Sequence, residues 1–137
     1  MAVNYVKVKR TISTGNTPGE KFLARLRRGN DVSMNQVAED IAYSTTLSPS
    51  DTLAVLMALE KVIGRYVMDG RAVKLGYLGS FIPQLSSKAV ASPDEVDVNT
   101  IKRFGCRFFP STEFRRNLAK TSFIESDMSV KGLVSEE

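Results

Sequence analysis

Two arginines flank a glycine in the stretch RFGCR at 103–107, where apolar and polar residues alternate as in a strand. Successive side chains of a strand point to opposite faces, so Arg103 and Arg107 share one face. No acidic residue lies between them. Two guanidinium groups on one face can neutralise two phosphates, and Gly105 lets another backbone come close. This pattern favours anion binding; a solvated surface is the alternative.

A second stretch, AVKLGYLGSF at 72–81, carries Gly76 and Gly79 beside apolar residues. A phosphate-binding loop needs Gly-Lys-Ser/Thr at the entrance to a helix. This stretch lacks that lysine and runs into another strand-like segment. We therefore predict that the two glycines form a turn between strands.

Catalytic residues are scarce in this chain. The sequence has no histidine and one cysteine, Cys106, so histidine-based catalysis, most zinc sites and an internal disulfide framework are excluded. We find no nucleophile with a base and no carboxylate pair in a plausible cleft. We predict a binding protein rather than an enzyme, with no metal, no cofactor and no small-molecule substrate, and a buried, inert Cys106.

Composition is that of one ordinary globular domain with room for an extension: 137 residues, 42% apolar and 25% charged. No apolar run is long enough to cross a membrane, and the N-terminus lacks a signal-peptide core, so we predict a cytoplasmic protein. Basic residues concentrate in 1–28 and 70–120, and acidic residues in 29–69 and 121–137. Such segregation is typical of nucleic-acid binding and also of a solvated surface.

The N-terminal residues show strand patterns. YVKVKRTI at 5–12 alternates, STGNTPG at 13–19 is rich in turn residues, and KFLARL at 21–26 places Phe22, Ala24 and Leu26 on one face. We predict an ordered hairpin or two strands, with Val6 and Val8 buried.

Two helices follow. SMNQ at 33–36 reads as a capping box in which Gln36 reaches back to Ser33, and SPSD at 48–51 supplies a cap and a proline at the first helical position. Gly70 is the stop signal of the second helix. Because LAVLMAL at 53–59 is apolar all round, this helix needs cover on several sides, which a second subunit can supply.

Three strands are predicted next, at 71–75, 79–85 and 100–109, with a long polar hairpin loop or arm at 86–99. Alternation directs Val73, Phe81, Phe104, Cys106 and Phe108 inward and Lys74, Gln84, Arg103 and Arg107 outward. A short helix at 110–120 has Phe114 and Leu118 as its inward pair. The tail 121–137 shows little periodicity, and we predict that its end is mobile.

This order resembles the HU and integration host factor family of bacterial histone-like DNA-binding proteins. The resemblance rests on the two-helix segment at 33–70, on RAVKLGYLGSF at 71–81 and on RFFPSTEFRRNL at 107–118, and it covers 33–120. It implies an α+β fold with two N-terminal helices, a three-stranded antiparallel sheet with a protruding β-arm and a short C-terminal helix. Residues 1–32 resemble the β extension of larger Bacteroides-type HU-like proteins.

The resemblance implies a homodimer that binds double-stranded DNA in the nucleoid, largely without sequence specificity and with bending as a further property of the family. The implied DNA-binding residues are Lys74, Gln84, Lys88, Lys102, Arg103, Arg107, Ser111, Thr112, Arg115 and Arg116. The implied dimer core comprises Leu53, Leu56, Leu59, Phe81 and Phe108.

The expected arm differs from the family pattern at its tip. The Arg-Asn-Pro motif of the family is absent, and Pro93 is surrounded by Asp94, Glu95 and Asp97. Carboxylates repel a phosphate backbone. A second hypothesis therefore stays open, that of an HU-like structural or interaction dimer with weak or lost DNA binding.

Overall fold

The computed structural model describes residues 2–13, 15 and 19–126. This part of the chain is mixed α+β, with three α-helices and two three-stranded sheets. It divides into two compact units: one contains the residues up to Asp31 together with those from Leu118 onward, and the other is Val32–Asn117.

The second unit begins with two helices, α1 (Met34–Tyr43) and α2 (Pro49–Met68). The Ser33 hydroxyl accepts a hydrogen bond from the Gln36 amide at 3.2 Å, and Ser48 caps α2 in the same way. The predicted reciprocal half of the capping box is wrong, because the Gln36 side chain donates forward to Asp40 at 3.0 Å. The Asp40 carboxylate lies one turn further along the helix. Because it is charged, it is a stronger partner for the Gln36 side-chain amide than the backbone at the N-cap.

Helix α2 ends as its sequence predicts. Asp69 is the C-cap, and Gly70 follows in the left-handed region with φ +75°. The amide of Gly70 donates to the Val67 carbonyl at 2.9 Å, and the amide of Arg71 donates to the Tyr66 carbonyl at 3.0 Å. These bonds satisfy carbonyls that the helix end leaves without a partner.

A three-stranded antiparallel sheet completes most of this unit, in the order β3 (Val73–Lys74), β4 (Gly79–Ser87), β5 (Ile101–Pro110). The turn prediction at Gly76 and Gly79 is confirmed. The Leu78 amide donates to the Leu75 carbonyl at 3.1 Å, and the Leu75 amide donates to the Gly79 carbonyl at 2.8 Å. Gly76 and Gly79 adopt φ +57° and +148°, which side chains disfavour, so the chain can reverse here into β4.

Strand β4 extends two residues beyond its predicted end at 85, and β5 begins at Ile101, one residue later than predicted. Their antiparallel ladder continues to Ser87 and Ile101, with a bulge just beyond Ser86. The loop between them is therefore shorter than the predicted 86–99 excursion, and it contains short 3-10 turns at Pro93–Glu95 and Val98–Thr100. Helix α3 (Thr112–Leu118) follows β5.

The first unit contains the sheet β2-β1-β6, built from β1 (Ala2–Ile12), β2 (Gly19–Leu26) and β6 (Ser122–Glu125). The prediction of ordered N-terminal strands is confirmed; Val6 is fully buried and Val8 half-buried. Strand β6 pairs in parallel with β1, so the predicted tail from 121 starts as part of a sheet. Its predicted mobile end, residues 127–137, lies outside the described residues.

Few apolar side chains are buried within the single chain. Among the described residues, Val6, Ala38 and Val67 are the buried hydrophobic ones, while Val55, Met57, Leu59 and Val62 of α2 are exposed. The predicted inward pair of α3, Phe114 and Leu118, is exposed too. A chain of this size normally buries far more apolar surface, and residues 2–13, 15 and 19–126 leave these side chains open to solvent.

No helix in the described part of the chain is both long and apolar enough to span a membrane.

Candidate nucleic-acid interface

The register of β3, β4 and β5 decides which side chains share a face. Lys74 is opposite Ser80, Gln84 opposite Gly105, Ser86 opposite Arg103, and Ile82 opposite Arg107. Residues directly opposite each other in an antiparallel ladder lie on the same face. The structure thus brings four of the predicted site residues together on what we call the saddle face: Lys74, Gln84, Arg103 and Arg107.

An aromatic ring on the same face lies beside Arg107. The guanidinium carbon of Arg107 is 5.6 Å from the ring centroid of Phe109, within the range of a cation–π interaction. The ring holds the guanidinium over the sheet and leaves its N–H groups free to meet an anion. Alternation had placed Phe109 on this face, but the sequence pattern alone does not reveal the stacking.

A depression of 240 Å³ opens on the hairpin around Gly105. Residues from both faces of the hairpin line it: Gln84, Leu85, Ser86, Arg103, Gly105 and Cys106. A side-chain carbon built onto Gly105 would meet no atom within 4 Å, so packing does not require a glycine here. The missing side chain instead leaves room above the sheet for another molecule.

The other basic residues predicted for the arm lie apart from this group. Lys102 stands at the bulge where the pairing shifts from Arg103 to Ile101, and therefore has no partner opposite it on β4. Lys88 lies at the start of the loop, where its amide donates to the Thr100 carbonyl at 2.8 Å. Both side chains are exposed near the outer end of the hairpin.

At the start of α3, the Ser111 hydroxyl is already engaged. It accepts from the Phe114 amide at 3.1 Å and donates to the Tyr77 carbonyl in the β3–β4 turn. Its amide donates to the Leu78 carbonyl at 3.2 Å. Ser111 thus caps α3 and joins the helix to the turn, while Thr112, Arg115 and Arg116 are exposed on the helix itself.

The opposite face of the hairpin is apolar. Phe81 lies across from Phe108, Pro83 from Cys106, and Leu85 from Phe104, and the rings of Phe81 and Phe108 are 5.0 Å apart. Leu85 is 61% exposed and Phe104 48% exposed. The prediction of a buried Cys106 is wrong for the single chain, where it is exposed, because the described residues leave this part of the apolar face open.

The outer loop of the hairpin is acidic and partly apolar. Asp97 accepts hydrogen bonds from the amides of Asn99 and Thr100 at 2.9 and 3.2 Å, which shapes the second 3-10 turn. We call Asp94, Glu95 and Asp97 the arm-tip carboxylates; all three are exposed, and none forms a salt bridge among the described residues. Val98 beside them is 81% exposed.

A comparison with protein families gives the decisive observation. The family model HU-HIG, described as an HU domain fused to wHTH, Ig, or glycine-rich motif, matches residues 1–125. The chain belongs to the HU-HIG family. This confirms the resemblance to HU proteins that the helix, turn and strand motifs indicate. No curated protein matches the HU-HIG chain.

Two solved structures share the fold of the HU-HIG chain. One is a proposed bacterial DNA-binding protein from Bacteroides vulgatus, with 16% identity and a TM-score of 0.59; the match covers 88% of this chain and 47% of that one. The HU-HIG chain therefore spans about half the length of that protein. The other is Anabaena HU crystallised with DNA, with 20% identity and a TM-score of 0.52, covering 65% of this chain and 99% of that one.

Proposed function

We propose that the chain is a histone-like protein that binds duplex DNA as a homodimer, through the saddle face and largely without sequence preference. The observation that carries this proposal is the pair Arg103 and Arg107 on one exposed strand face, with Lys74 and Gln84 beside them. Membership of a family defined by an HU domain supports it, as does the shared fold with an HU protein crystallised with DNA. The role is binding rather than catalysis, in the nucleoid.

The dimer in this proposal follows from the uncovered apolar surface. Helix α2 and the apolar face of the β4–β5 hairpin together expose Val55, Met57, Leu85 and Phe104 to solvent in the single chain. Exposed apolar side chains grouped on neighbouring elements are typical of subunit interfaces, and obligate interfaces bury about 2,000 Å² or more. We assign Leu53, Leu56, Leu59, Phe81 and Phe108 to the shared core.

DNA contacts on the saddle face are expected to be mainly electrostatic. An arginine fork matches the geometry of a phosphate, and the open space above Gly105 allows a backbone to come near the sheet. Neither feature reads a base edge. Binding through phosphates is largely independent of sequence. It weakens as salt rises, because the release of counterions from DNA is then less favourable.

The arm-tip carboxylates favour a second candidate function, an HU-like interaction dimer that binds DNA weakly or not at all. These three exposed charges stand at the end of the hairpin, where they would repel a phosphate backbone wrapped by the arm. Bending by a wedge at the tip is for the same reason the least supported part of the DNA-binding proposal. The first function predicts tight, salt-sensitive binding to duplex DNA, and the second predicts weak binding or none.

Fluorescence anisotropy with a labelled duplex, measured over a range of salt concentrations, separates them. We expect tight binding that weakens steeply with salt. In Arg103→Ala/Arg107→Ala, the slope of log K against log salt should fall by about 1.8 for each protomer that contacts DNA, a loss of about 60-fold at 0.1 M salt. Lys7→Ala/Lys9→Ala removes the same charge from the other unit and serves as the control. No binding at low salt would instead support the interaction dimer.

A further inference from the structure

Charge is divided between the two faces of the N-terminal sheet. Strands β1 and β2 pair without a register shift from Tyr5 and Leu26 to Ile12 and Gly19. Lys7 and Lys9 lie on one face, where they form salt bridges with Glu125 and Glu20 at 3.2 and 2.9 Å. Each cation on this face is therefore balanced by a carboxylate.

The other face carries basic side chains without such balance. Arg10 is directly opposite Lys21, and Arg25 lies opposite Val6, so all three are on this face, which we call the basic face. The same face also carries the fully buried Val6 and the half-buried Val8. All three basic residues are exposed and none forms a salt bridge among the described residues. Neither β1, β2 nor β6 contributes a carboxylate to this face.

The pair Arg10 and Lys21 works against the stability of the hairpin. Like charges directly opposite each other in an antiparallel ladder repel, and neither Arg10 nor Lys21 forms an ion pair in the described part of the chain. A partner that brings negative charge to this face removes that repulsion on binding. The face is thus better suited to a complex with an anion than to a sheet exposed to water alone.

The spacing of the basic face fits a repeating polyanion. Lys21 and Arg25 are four residues apart on one strand, about 13 Å. A DNA duplex carries one negative charge per about 1.7 Å of helix axis, so side chains about 13 Å apart can each meet a different phosphate. A depression of 310 Å³ bordered by Arg10, Thr11 and Leu23 lies at one end of this row.

We propose that the basic face is a second surface for duplex DNA, separate from the saddle face, which contacts phosphates through Arg10, Lys21 and Arg25. The proposal deepens the DNA-binding function and takes its ligand from it. An anionic membrane is a poorer partner for this face, because its cations stand on strands and not on an amphipathic helix with a large apolar face. The basic face gives the N-terminal extension a role in binding.

The test compares two variants with the same loss of charge. Arg10→Gln/Lys21→Gln removes two cations from the basic face, and Lys7→Gln/Lys9→Gln removes two from the balanced face. Each is made in the full chain and also in the Arg103→Ala/Arg107→Ala background. Binding to a labelled 40-base-pair duplex is measured against salt by anisotropy, and thermal unfolding is measured without DNA.

For the basic-face variant we expect the salt slope to fall by about 1.8 for each contacting protomer, or about 60-fold in affinity at 0.1 M salt, in both backgrounds. The control should lose less than about 3-fold, because exposed ion pairs contribute little. The melting temperature of the basic-face variant should stay the same or rise, since a like-charge pair is relieved. A merely structural role for these residues would lower it.

The outcomes separate this proposal from the saddle face. If the basic-face variant binds DNA like its control in both backgrounds, the inference is overturned while the saddle remains. If only the arginine changes at 103 and 107 have no effect, the saddle proposal fails and the basic face stands. Binding to vesicles that contain phosphatidylserine is measured last. If Arg10→Gln/Lys21→Gln loses vesicle binding but keeps DNA binding unchanged, the inference is overturned in favour of a membrane.

Discussion

Gly79 should be the glycine that the fold tolerates least. A side-chain carbon at this position would lie 2.3 Å from the Phe109 carbonyl oxygen and 2.8 and 2.9 Å from two ring carbons of Phe108. Carbon contacts are optimal near 3.5–4.0 Å, so the overlap exceeds 0.5 Å on two sides. The carbonyl belongs to the β4–β5 ladder and cannot move without breaking its pairing.

Two costs add for Gly79→Ala. The backbone conformation, with φ +148°, costs about 1–3 kcal/mol for a residue with a side chain. Overpacking against a fixed neighbour costs about 1–3 kcal/mol more. The expected loss of about 2–6 kcal/mol is a large fraction of the usual 5–15 kcal/mol of a folded domain. With a slope near 2 kcal/mol per molar urea, the unfolding midpoint should drop by about 1–3 M.

Gly105→Ala is the matched control on the neighbouring strand. No atom lies within 4 Å of the added carbon, and φ of Gly105 is not in the left-handed region. The free energy of unfolding should therefore stay the same or rise by up to about 1 kcal/mol, and the urea midpoint should not fall. DNA affinity should nevertheless fall, because the added methyl group takes up part of the open space around Gly105 on the saddle face. Both proteins are unfolded at one concentration, since a dimer's stability depends on it. Equal midpoints for the two variants would refute this reasoning about Gly79.

Three further predictions concern the dimer and the arm. Cys106 should react with a maleimide at least about 100-fold more slowly in native protein than in urea, an opening cost of about 2.7 kcal/mol, if a second subunit covers its face; equal rates would contradict the dimer. Leu56→Asp should abolish the dimer in light scattering, and the milder Leu56→Ala should lower the unfolding midpoint more at low protein concentration than at high. Neutralising the arm-tip carboxylates to amides should tighten DNA binding at low salt in the anisotropy assay, whereas weaker binding would show that they contribute to the complex.

Local patterns predicted the helices and turns of this protein well. Ser33, Ser48, Pro49 and Gly70 act within one or two turns of where they stand, so their structural roles can be read from neighbouring residues. The same holds for the turn at Gly76 and Gly79. Alternation within β5 was also sufficient to place Arg103 and Arg107 on one face, since the period of a strand is a local property.

Pairings between distant residues could not be predicted in this way. Strand β6 is four residues long and pairs with β1 from more than a hundred residues further along the chain. Neither its length nor its pattern is sufficient to predict a strand. The bulge at Lys102 and the second role of Ser111, which ties α3 to Tyr77, depend likewise on partners in other elements.

Residue types and short spacings were sufficient to predict the elements up to α3, the charge segregation and the family resemblance. Which charges lie side by side across strands follows only from the pairing in the folded protein. The basic N-terminal hairpin is visible in the sequence as a set of lysines and arginines, and alternation separates Lys7 and Lys9 from Arg10. Its register then places Lys21 and Arg25 on the face of Arg10, away from the ion-paired lysines. The physical reason is that cross-strand register is set by pairing between strands, and a shift of one residue would exchange the two faces.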